Sequence, residues 1–317
     1  MRLAASLFVA VALAATGTVA TLWRAGALER ATEAAYPPEG QFVSVEGLRL
    51  HAVVAGEGPD LVLIHGSSGS TRDWTFALLP ELAKRYRVIA IDRPGLGWSD
   101  PAPGGESLHV QARLIRAAAA ALGARQPIVV GNSYGGAVAL AWATDAPDAL
   151  SALVTLAGPS HRWETGLPFQ YVLTSNPVAG GLFRALISAW VPEAYVRAQT
   201  EAVFAPQSAP PGYISHFGPR MSLRRASQAE NARQRAALKD EIAAMVPAYA
   251  RIAVPVELVH GTADDIVSLT IHAEQFVAEV PGADLTRLAG IGHMLHHVAR
   301  PEVIAAIDRA AARARLR

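Results

Sequence analysis

The chain has 317 residues, of which 51% are hydrophobic and 17% are charged, and its formal net charge at pH 7 is +1. This composition suffices for one large hydrophobic core, alone or with a smaller second domain, and it excludes a disordered protein. The balanced charge gives no indication of a nucleic-acid partner, and the lack of cysteine excludes disulfides, thiolate metal sites and cysteine nucleophiles.

The amino-terminal segment is apolar. No residue from Leu3 to Trp23 is charged, and a helix of about 21 residues is roughly 30 Å long, enough to cross the hydrocarbon core of a bilayer. Trp23 and Arg24 close this run, as is typical at a membrane surface. We therefore predict a retained membrane anchor within residues 1–25, followed by a polar linker over residues 26–40.

A cleaved signal segment is the alternative, because residues 18–20 are small enough for a signal peptidase site. A retained anchor would place the rest of the chain outside the cytoplasm, on the periplasmic side in a bacterium. Cleavage would release it as a secreted protein.

Short apolar runs then alternate with stretches of helical length. Eight runs are predicted as strands, the first two forming a hairpin. They cover residues 42–45, 48–55, 61–64, 88–91, 128–130, 153–156, 256–259 and 285–288. Predicted helices cover residues 74–84, 108–122, 137–146 and 269–280. The alternation predicts an α/β fold with a mostly parallel, eight-stranded sheet flanked by helices.

The alternation stops over residues 159–247. This interval is rich in aromatic residues, contains several prolines and has a helical second half. It is too long for a loop inside a compact domain, so we predict a helical cap inserted between two strands of the sheet. The α/β core would then comprise residues 41–158 and 248–317, with some cap aromatics facing a pocket beneath them.

A strand, a tight turn and a helix meet at IVVGNSYGG, residues 128–136. Gly131 and Gly135 leave room for a strained turn that points the Ser133 hydroxyl outward. The pattern G-x-S-x-G in this context predicts a nucleophile elbow. A chance match is the alternative, and it would have to fall by accident between a strand pattern and a helix pattern.

A serine nucleophile requires a base, and the base requires an orienting carboxylate. Asp264 and Asp265 follow the strand ending at residue 259, and we prefer Asp264 because it is nearer the strand end. His293 lies on the loop after the last strand, which returns to the same sheet edge. His293, His296 and His297 also resemble a metal cluster, but no neighbouring carboxylate completes a ligand set, so no metal is expected.

An oxyanion formed at this serine would require two backbone donors. The Tyr134 amide, at the start of the helix, is one candidate. The Ser67 amide in HGSSGS, residues 65–70, is the other, although this loop also suits an ordinary strand-to-helix connection. Complete phosphate-loop, dinucleotide-binding and zinc-protease motifs do not occur in the sequence, so we expect no cofactor.

Five motifs in this order resemble the α/β-hydrolase superfamily, most of all its cap-bearing serine-hydrolase branch. They are HGSSGS (65–70), DRPGLGWSD (92–100), GNSYGG (131–136), HGTADDIV (260–267) and GIGHM (290–294). The resemblance implies Ser133 as nucleophile, His293 as base and Asp264 as orienting acid, with Ser67 and Tyr134 as oxyanion donors. It also implies a structural role for the loop that begins DRPG.

The resemblance implies hydrolysis of an ester-like bond in a small, largely apolar substrate through an acyl-enzyme. Dehalogenases and epoxide hydrolases of the superfamily carry aspartate at the elbow, so Ser133 argues against both. Hydrolases of ring-fission products, which cleave carbon–carbon bonds, share Asn132 and the glycine pair but usually have methionine where this chain has Tyr134. Such a hydrolase and a non-catalytic ligand-binding member are the alternatives.

Overall fold

The computed structural model describes residues 2–316. Eight strands in this range form one sheet. In chain order they are β1 (Gln41–Val45), β2 (Leu48–Ala55), β3 (Asp60–Ile64), β4 (Arg87–Ile91), β5 (Ile128–Asn132), β6 (Ala152–Leu156), β7 (Val256–Gly261) and β8 (Ala283–Leu288). Their order across the sheet is β1-β2-β4-β3-β5-β6-β7-β8. The β1–β2 and β2–β4 pairs are antiparallel, and the other pairs are parallel.

Both faces of the sheet are covered, as a parallel sheet requires. Alternate residues of one strand belong to different hydrophobic clusters: Val62 and Ile64 pack on one side, and Leu61 and Leu63 on the other. Every residue of β5 and β6 is buried. The predicted α/β architecture with eight mostly parallel strands is thereby confirmed.

Helices flank the sheet and fill the connections. In chain order they are α1 (Arg2–Ala35), α2 (Arg72–Thr75), α3 (Leu78–Leu82), α4 (Leu108–Ala121), α5 (Tyr134–Asp145), α6 (Phe169–Ser175), α7 (Gly180–Trp190), α8 (Glu193–Ala202), α9 (Tyr213–Phe217), α10 (Arg225–Met245), α11 (Gln275–Glu279), α12 (Leu295–Val298) and α13 (Arg300–Arg313). We call the part of the chain from α6 to α10, between β6 and β7, the insert. It supplies helices where the sequence predicts a cap.

Two predicted helices have different boundaries in the structure. The helix expected over residues 74–84 is divided into α2 and α3. In one continuous helix Pro80 would lie in the interior, where its ring clashes with the carbonyl four residues earlier, whereas in α3 it falls in the first turn. The helix expected over residues 269–280 begins with a π-helical turn, Thr270–Glu274, before α11.

The amino-terminal helix extends further than predicted. Residues 26–35, expected to belong to a linker, continue α1 without interruption. Most residues after Trp23 are good helix formers, and the first proline is Pro37, so nothing in the sequence ends the helix earlier. The apolar part of α1 is exposed, and by length and composition this helix is able to cross a membrane.

Candidate active site

Ser133 lies on a sharp turn between β5 and α5. Its backbone has φ 50° and ψ −123°, a strained conformation for a residue with a side chain. Two backbone hydrogen bonds hold the turn: the Ser133 amide donates to Leu156 O at 2.9 Å, and the Gly136 amide donates to Ser133 O at 2.8 Å. Strain that is stabilised in this way is typical of functional positions.

The turn requires glycine because neighbouring backbone comes very close. A Cβ added to Gly135 would lie 2.1 Å from Ile64 O at the end of β3, and one added to Gly131 would lie 2.2 Å from Gly135 O. Real Cβ atoms do not make such contacts. The glycines therefore allow α5 to begin directly beside the end of the sheet.

His293 and Asp264 form a hydrogen-bonded pair on neighbouring loops. The Nδ1 atom of His293 is 2.8 Å from Oδ2 of Asp264. The other carboxylate oxygen accepts hydrogen bonds from the amides of Ile266 and Val267, both at 2.9 Å. Asp265, the alternative acid, is exposed. Of the two acidic residues, the structure brings only Asp264 to His293.

The environment of Asp264 favours its charged form. Burial raises its pKa, but hydrogen bonds from His260 and His293 and the charge of His293 outweigh that effect, so the pKa lies well below its usual value. An ionised Asp264 accepts a hydrogen bond from Nδ1–H of His293, which leaves the Nε2 lone pair of the imidazole available as a base.

Ser133 and His293 line the same cavity, which has a volume of about 610 Å³. Ser67 and Asn132 contribute to its wall at the sheet edge, and the insert contributes the opposite wall. Among residues 2–316 the Ser133 hydroxyl forms no hydrogen bond. In enzymes without substrate the bond between nucleophile and base is often long, and it tightens when substrate binds.

The two predicted oxyanion donors are the backbone amides of Tyr134 and Ser67. The Tyr134 amide is in the first turn of α5, where a helix has no acceptor for its N–H groups. Ser67 lines the cavity, and its hydroxyl is buried without a hydrogen-bond partner among the described residues. The next residue, Ser68, has φ 55°, so the loop turns sharply at this point.

Asn231 of α10, which no sequence motif singled out, holds this loop. Its Oδ1 accepts a hydrogen bond from the Ser68 amide at 2.9 Å, and its Nδ2 donates to the Ser68 hydroxyl, also at 2.9 Å. The two residues are 163 positions apart in the chain, so no local pattern could have paired them.

Arg93 connects the same loop to the insert. Its guanidinium is buried and donates to His65 O and Gly66 O, both at 3.0 Å. It also donates to the side-chain oxygens of Gln111 and Gln234, at 2.9 and 2.7 Å. The Arg93 guanidinium carbon lies 4.1 Å from the centre of the Tyr134 ring. One side chain thus contacts the loop, the elbow and the insert.

A second polar cluster borders the cavity. The buried carboxylate of Asp73 accepts a hydrogen bond from Tyr213 of the insert at 2.7 Å. It also pairs with Nε2 of His296 at 3.1 Å and with Nε2 of His297 at 2.8 Å. Asp73 thereby supplies the carboxylate that the sequence analysis did not find near these two histidines, and His293 lies outside the cluster.

Asp73, His296 and His297 have the residue types of a metal site, with their ligand atoms within 4.8 Å of one another. The hydrogen bonding does not fit one. The Nδ1 atoms of both histidines are buried without a partner in the described part of the chain. A metal-bound histidine almost always donates its other ring N–H to an acceptor. The cluster is therefore better described as a carboxylate with three hydrogen-bond donors.

Comparison with known proteins gives a consistent result. A family model described as the alpha/beta hydrolase fold matches residues 59–299. An uncharacterised protein of Mycobacterium tuberculosis is 28% identical over 272 residues, which cover 82% of this chain and 77% of that protein. The 2-hydroxymuconate semialdehyde hydrolase of a Pseudomonas species is 36% identical over 136 residues, which cover 41% of this chain and 48% of that enzyme.

A solved structure extends the likeness over nearly the whole chain. The crystal structure of a bacterial membrane phospholipase A superimposes with a TM-score of 0.68 and covers 98% of this chain and 99% of its own. Its sequence identity is 19%, so this likeness concerns the fold. The family model, which spans most of the chain, and the observed sheet lead to one conclusion: this protein belongs to the α/β-hydrolase fold family.

Proposed function

We propose that this α/β hydrolase is a serine hydrolase that cleaves ester-like bonds through an acyl-enzyme. The observation that carries the proposal is the hydrogen-bonded pair of His293 and Asp264, which faces the same cavity as Ser133 on its strained turn. A hydroxyl, an imidazole and an ionised carboxylate at one sheet edge are the groups that nucleophilic catalysis by serine requires.

In the proposed reaction His293 accepts the Ser133 proton while the serine oxygen attacks the ester carbonyl. The Ser67 and Tyr134 amides hold the oxyanion of the tetrahedral intermediate, and Asp264 stabilises the imidazolium. The imidazolium protonates the departing alcohol, which leaves an acyl group on Ser133. Water, deprotonated by His293, then attacks the acyl carbonyl; as the bond to Ser133 breaks, the imidazolium returns the proton to the serine oxygen and the acid is released.

The cavity wall supports a largely apolar substrate. Ile187, Val191, Val203, Phe204 and Phe217 line it from the insert. These side chains form an apolar part of a wall that also carries polar residues, and such a combination favours small molecules with an apolar portion.

We further propose that the insert is a cap domain, residues 159–247, over a core of residues 41–158 and 248–317, and that α1 is a retained membrane anchor. The continuous helix through residues 18–20 and the fold match to a membrane phospholipase A over 98% of the chain support the anchor. The catalytic domain would then lie outside the cytoplasm.

Labelling with a fluorophosphonate probe tests the proposed nucleophile. Wild-type protein is expected to become labelled and to hydrolyse p-nitrophenyl esters, and Ser133→Ala should lose both properties while keeping its fold. Ser215→Ala, at an exposed position of the insert, is the matched control and should keep both. Labelling that persists in Ser133→Ala would reject the assignment, and a wild-type protein without any labelling would favour a binding-only member of the family.

One observation favours a second candidate, the hydrolysis of carbon–carbon bonds in dienoate ketones. Arg235 of α10 lines the cavity, where its guanidinium would pair with the carboxylate of such a substrate. The similarity to 2-hydroxymuconate semialdehyde hydrolase points the same way. Turnover of a ring-fission product that falls in Arg235→Gln, with unchanged turnover of a neutral ester, would support this candidate.

A further inference from the structure

The helix proposed as membrane anchor is attached to the insert by several specific contacts. Arg225 of α10 forms two hydrogen bonds with Glu29 of α1, both at 2.9 Å. Arg24 donates to Ala189 O of α7 at 2.8 Å. Because these bonds join α1 directly to α7 and α10, the position of the membrane-crossing part of α1 fixes which face of the insert meets the bilayer.

Trp190 marks the level of the membrane surface on the insert. Its indole N–H donates to the Thr21 hydroxyl at 3.1 Å, and the Arg24 guanidinium carbon lies 4.8 Å from the centre of its ring. Thr21 belongs to the uncharged segment that ends at Trp23. Trp190 is 53% exposed although it is large and apolar. Tryptophan is enriched at the boundary between lipid and water, which is where Thr21 would place this ring.

An apolar surface surrounds Trp190. Leu182, Leu186 and Trp190 are spaced four residues apart on α7, so they form one stripe, and all three side chains are exposed. Phe169 and Val172 of α6 are exposed as well. We call these five residues the apolar surface of the insert. A contiguous exposed apolar patch of this kind marks a site of protein–protein or membrane interaction.

Helices α6 and α7 also line the cavity with other residues. Tyr171 of α6 and Ile187 of α7 contribute to its wall, as does Val191, the residue directly after Trp190. Tyr195 of α8 lines the cavity and is also exposed, so the cavity reaches solvent close to the apolar surface. The apolar surface and the cavity wall are thus formed by neighbouring residues of the same part of the insert.

We propose that the apolar surface of the insert lies in the interfacial layer of the membrane, and that the cavity takes its substrate from there: an amphiphile with an ester-linked acyl chain. This inference rests on the proposed esterase function and anchor. A bilayer is favoured over a second copy of the chain as the occupant, because the surface continues into Leu22 and Trp23, which are exposed on the membrane-crossing helix itself.

Site-specific labelling tests the membrane contact without reference to catalysis, and the lack of native cysteine makes it simple. Leu186→Cys and, as control, Arg125→Cys at an exposed position of the core are labelled with an environment-sensitive fluorophore. The full chain is reconstituted in phosphatidylcholine–phosphatidylglycerol vesicles that contain nitroxide lipids. We expect strong quenching and a blue shift at position 186 and neither at position 125. Equal, weak quenching at both positions would overturn the proposal. A blue shift at position 186 that depends on the density of protein in the vesicles, and not on nitroxide lipid, would also overturn it.

A kinetic comparison tests the substrate class. Leu182→Glu/Leu186→Glu places two charges on the apolar surface, and we expect hydrolysis of a vesicle-embedded acyl ester to fall by about tenfold or more because charges partition poorly into lipid. Hydrolysis of water-soluble p-nitrophenyl acetate should stay unchanged, which shows that the variant is folded. Unchanged turnover of both esters would contradict the proposal. Absence of turnover in wild-type protein would instead reject the esterase function, while the labelling result would still decide the membrane contact.

Discussion

The hydroxyl of Tyr213, in the insert, donates a hydrogen bond of 2.7 Å to the carboxylate of Asp73, which follows the loop after β3. Burial, together with the charge of Asp73, raises the pKa of Tyr213 well above its usual value, so the hydroxyl keeps its proton. This bond joins the insert to the core beside the cavity.

We expect Tyr213→Phe to lower the free energy of unfolding by about 1.5–3 kcal/mol, the range for a hydrogen bond to a charged group. Chemical denaturation followed by circular dichroism measures the change. Tyr195→Phe, at an exposed position of the same insert, is the control and should stay within about 0.5 kcal/mol of wild type. Equal stability of the two variants would show that the Asp73–Tyr213 bond contributes nothing.

Two adjacent aspartates allow a matched test of the orienting acid. Asp264→Asn removes the charge that holds His293, and we expect kcat/KM for an ester to fall by about 10³–10⁴-fold with little change in fold. Asp265→Asn alters the exposed neighbour and should leave the rate within a factor of two or so of wild type. The ratio of the two rates is the measurement, and a ratio near one would exclude Asp264 from this role.

The elbow should not tolerate a methyl group at Gly135. In Gly135→Ala the added Cβ would meet Ile64 O at 2.1 Å, a contact with backbone that cannot rotate away. We expect a loss of more than about 3 kcal/mol in unfolding free energy, beyond ordinary overpacking, together with loss of esterase activity. Gly166→Ala is the control, because a Cβ there would meet nothing within 4 Å. Thermal melts of both variants decide the comparison.

His65 should make stability depend on pH. Burial, with a further contribution from the charge of Arg93, lowers the pKa of His65 to about 4. An unfolded chain has a histidine pKa of about 6.5, so the unfolded state binds more protons between these values and stability falls as pH decreases through that window. By pH 4 the loss attributable to His65 should reach about 3 kcal/mol.

Denaturant unfolding of wild type and His65→Asn is measured between pH 7 and pH 4. The contribution of His65 is the difference between the two proteins in the slope of unfolding free energy against pH. Histidines elsewhere contribute to both proteins alike, so they cancel in the comparison. Parallel curves for the two proteins would contradict the predicted pKa. If His65→Asn is less stable than wild type at every pH, the slopes of the two curves can still be compared.

The parts of this protein that could be predicted from the sequence are those with a local pattern. The strand–turn–helix around Ser133 carries its own glycines, and both Asp264 and His293 follow strands that end at one sheet edge, so their neighbourhood follows from the fold. The catalytic roles of these residues stay predictions. Pro80 is a local signal of the same kind, because it explains why the helix predicted over residues 74–84 is divided into α2 and α3.

Contacts between distant segments could not be predicted in the same way. Asp73 and His297 are 224 residues apart, and Glu29 and Arg225 are 196 residues apart. Nothing in either neighbourhood specifies the partner, because the first pairing arises only when α2 and α12 meet in the folded core and the second only when α1 packs against the insert. Polar residues of the segment predicted as a linker likewise pair with distant parts of the chain: Glu33 with Arg224 and Glu29 with Arg225.

The buried Arg93 restricts how the insert could be exchanged for that of another family member. The Arg93 guanidinium donates hydrogen bonds to Gln234 of the insert and to the carbonyls of residues 65 and 66. If the corresponding helices of another family member were grafted onto this core, the charged guanidinium would lose its side-chain amide acceptor on the insert. Chimaeras that lack an acceptor at the position of Gln234 should misassemble at the loop of residues 65 and 66, so an exchanged insert must bring a matching acceptor for Arg93.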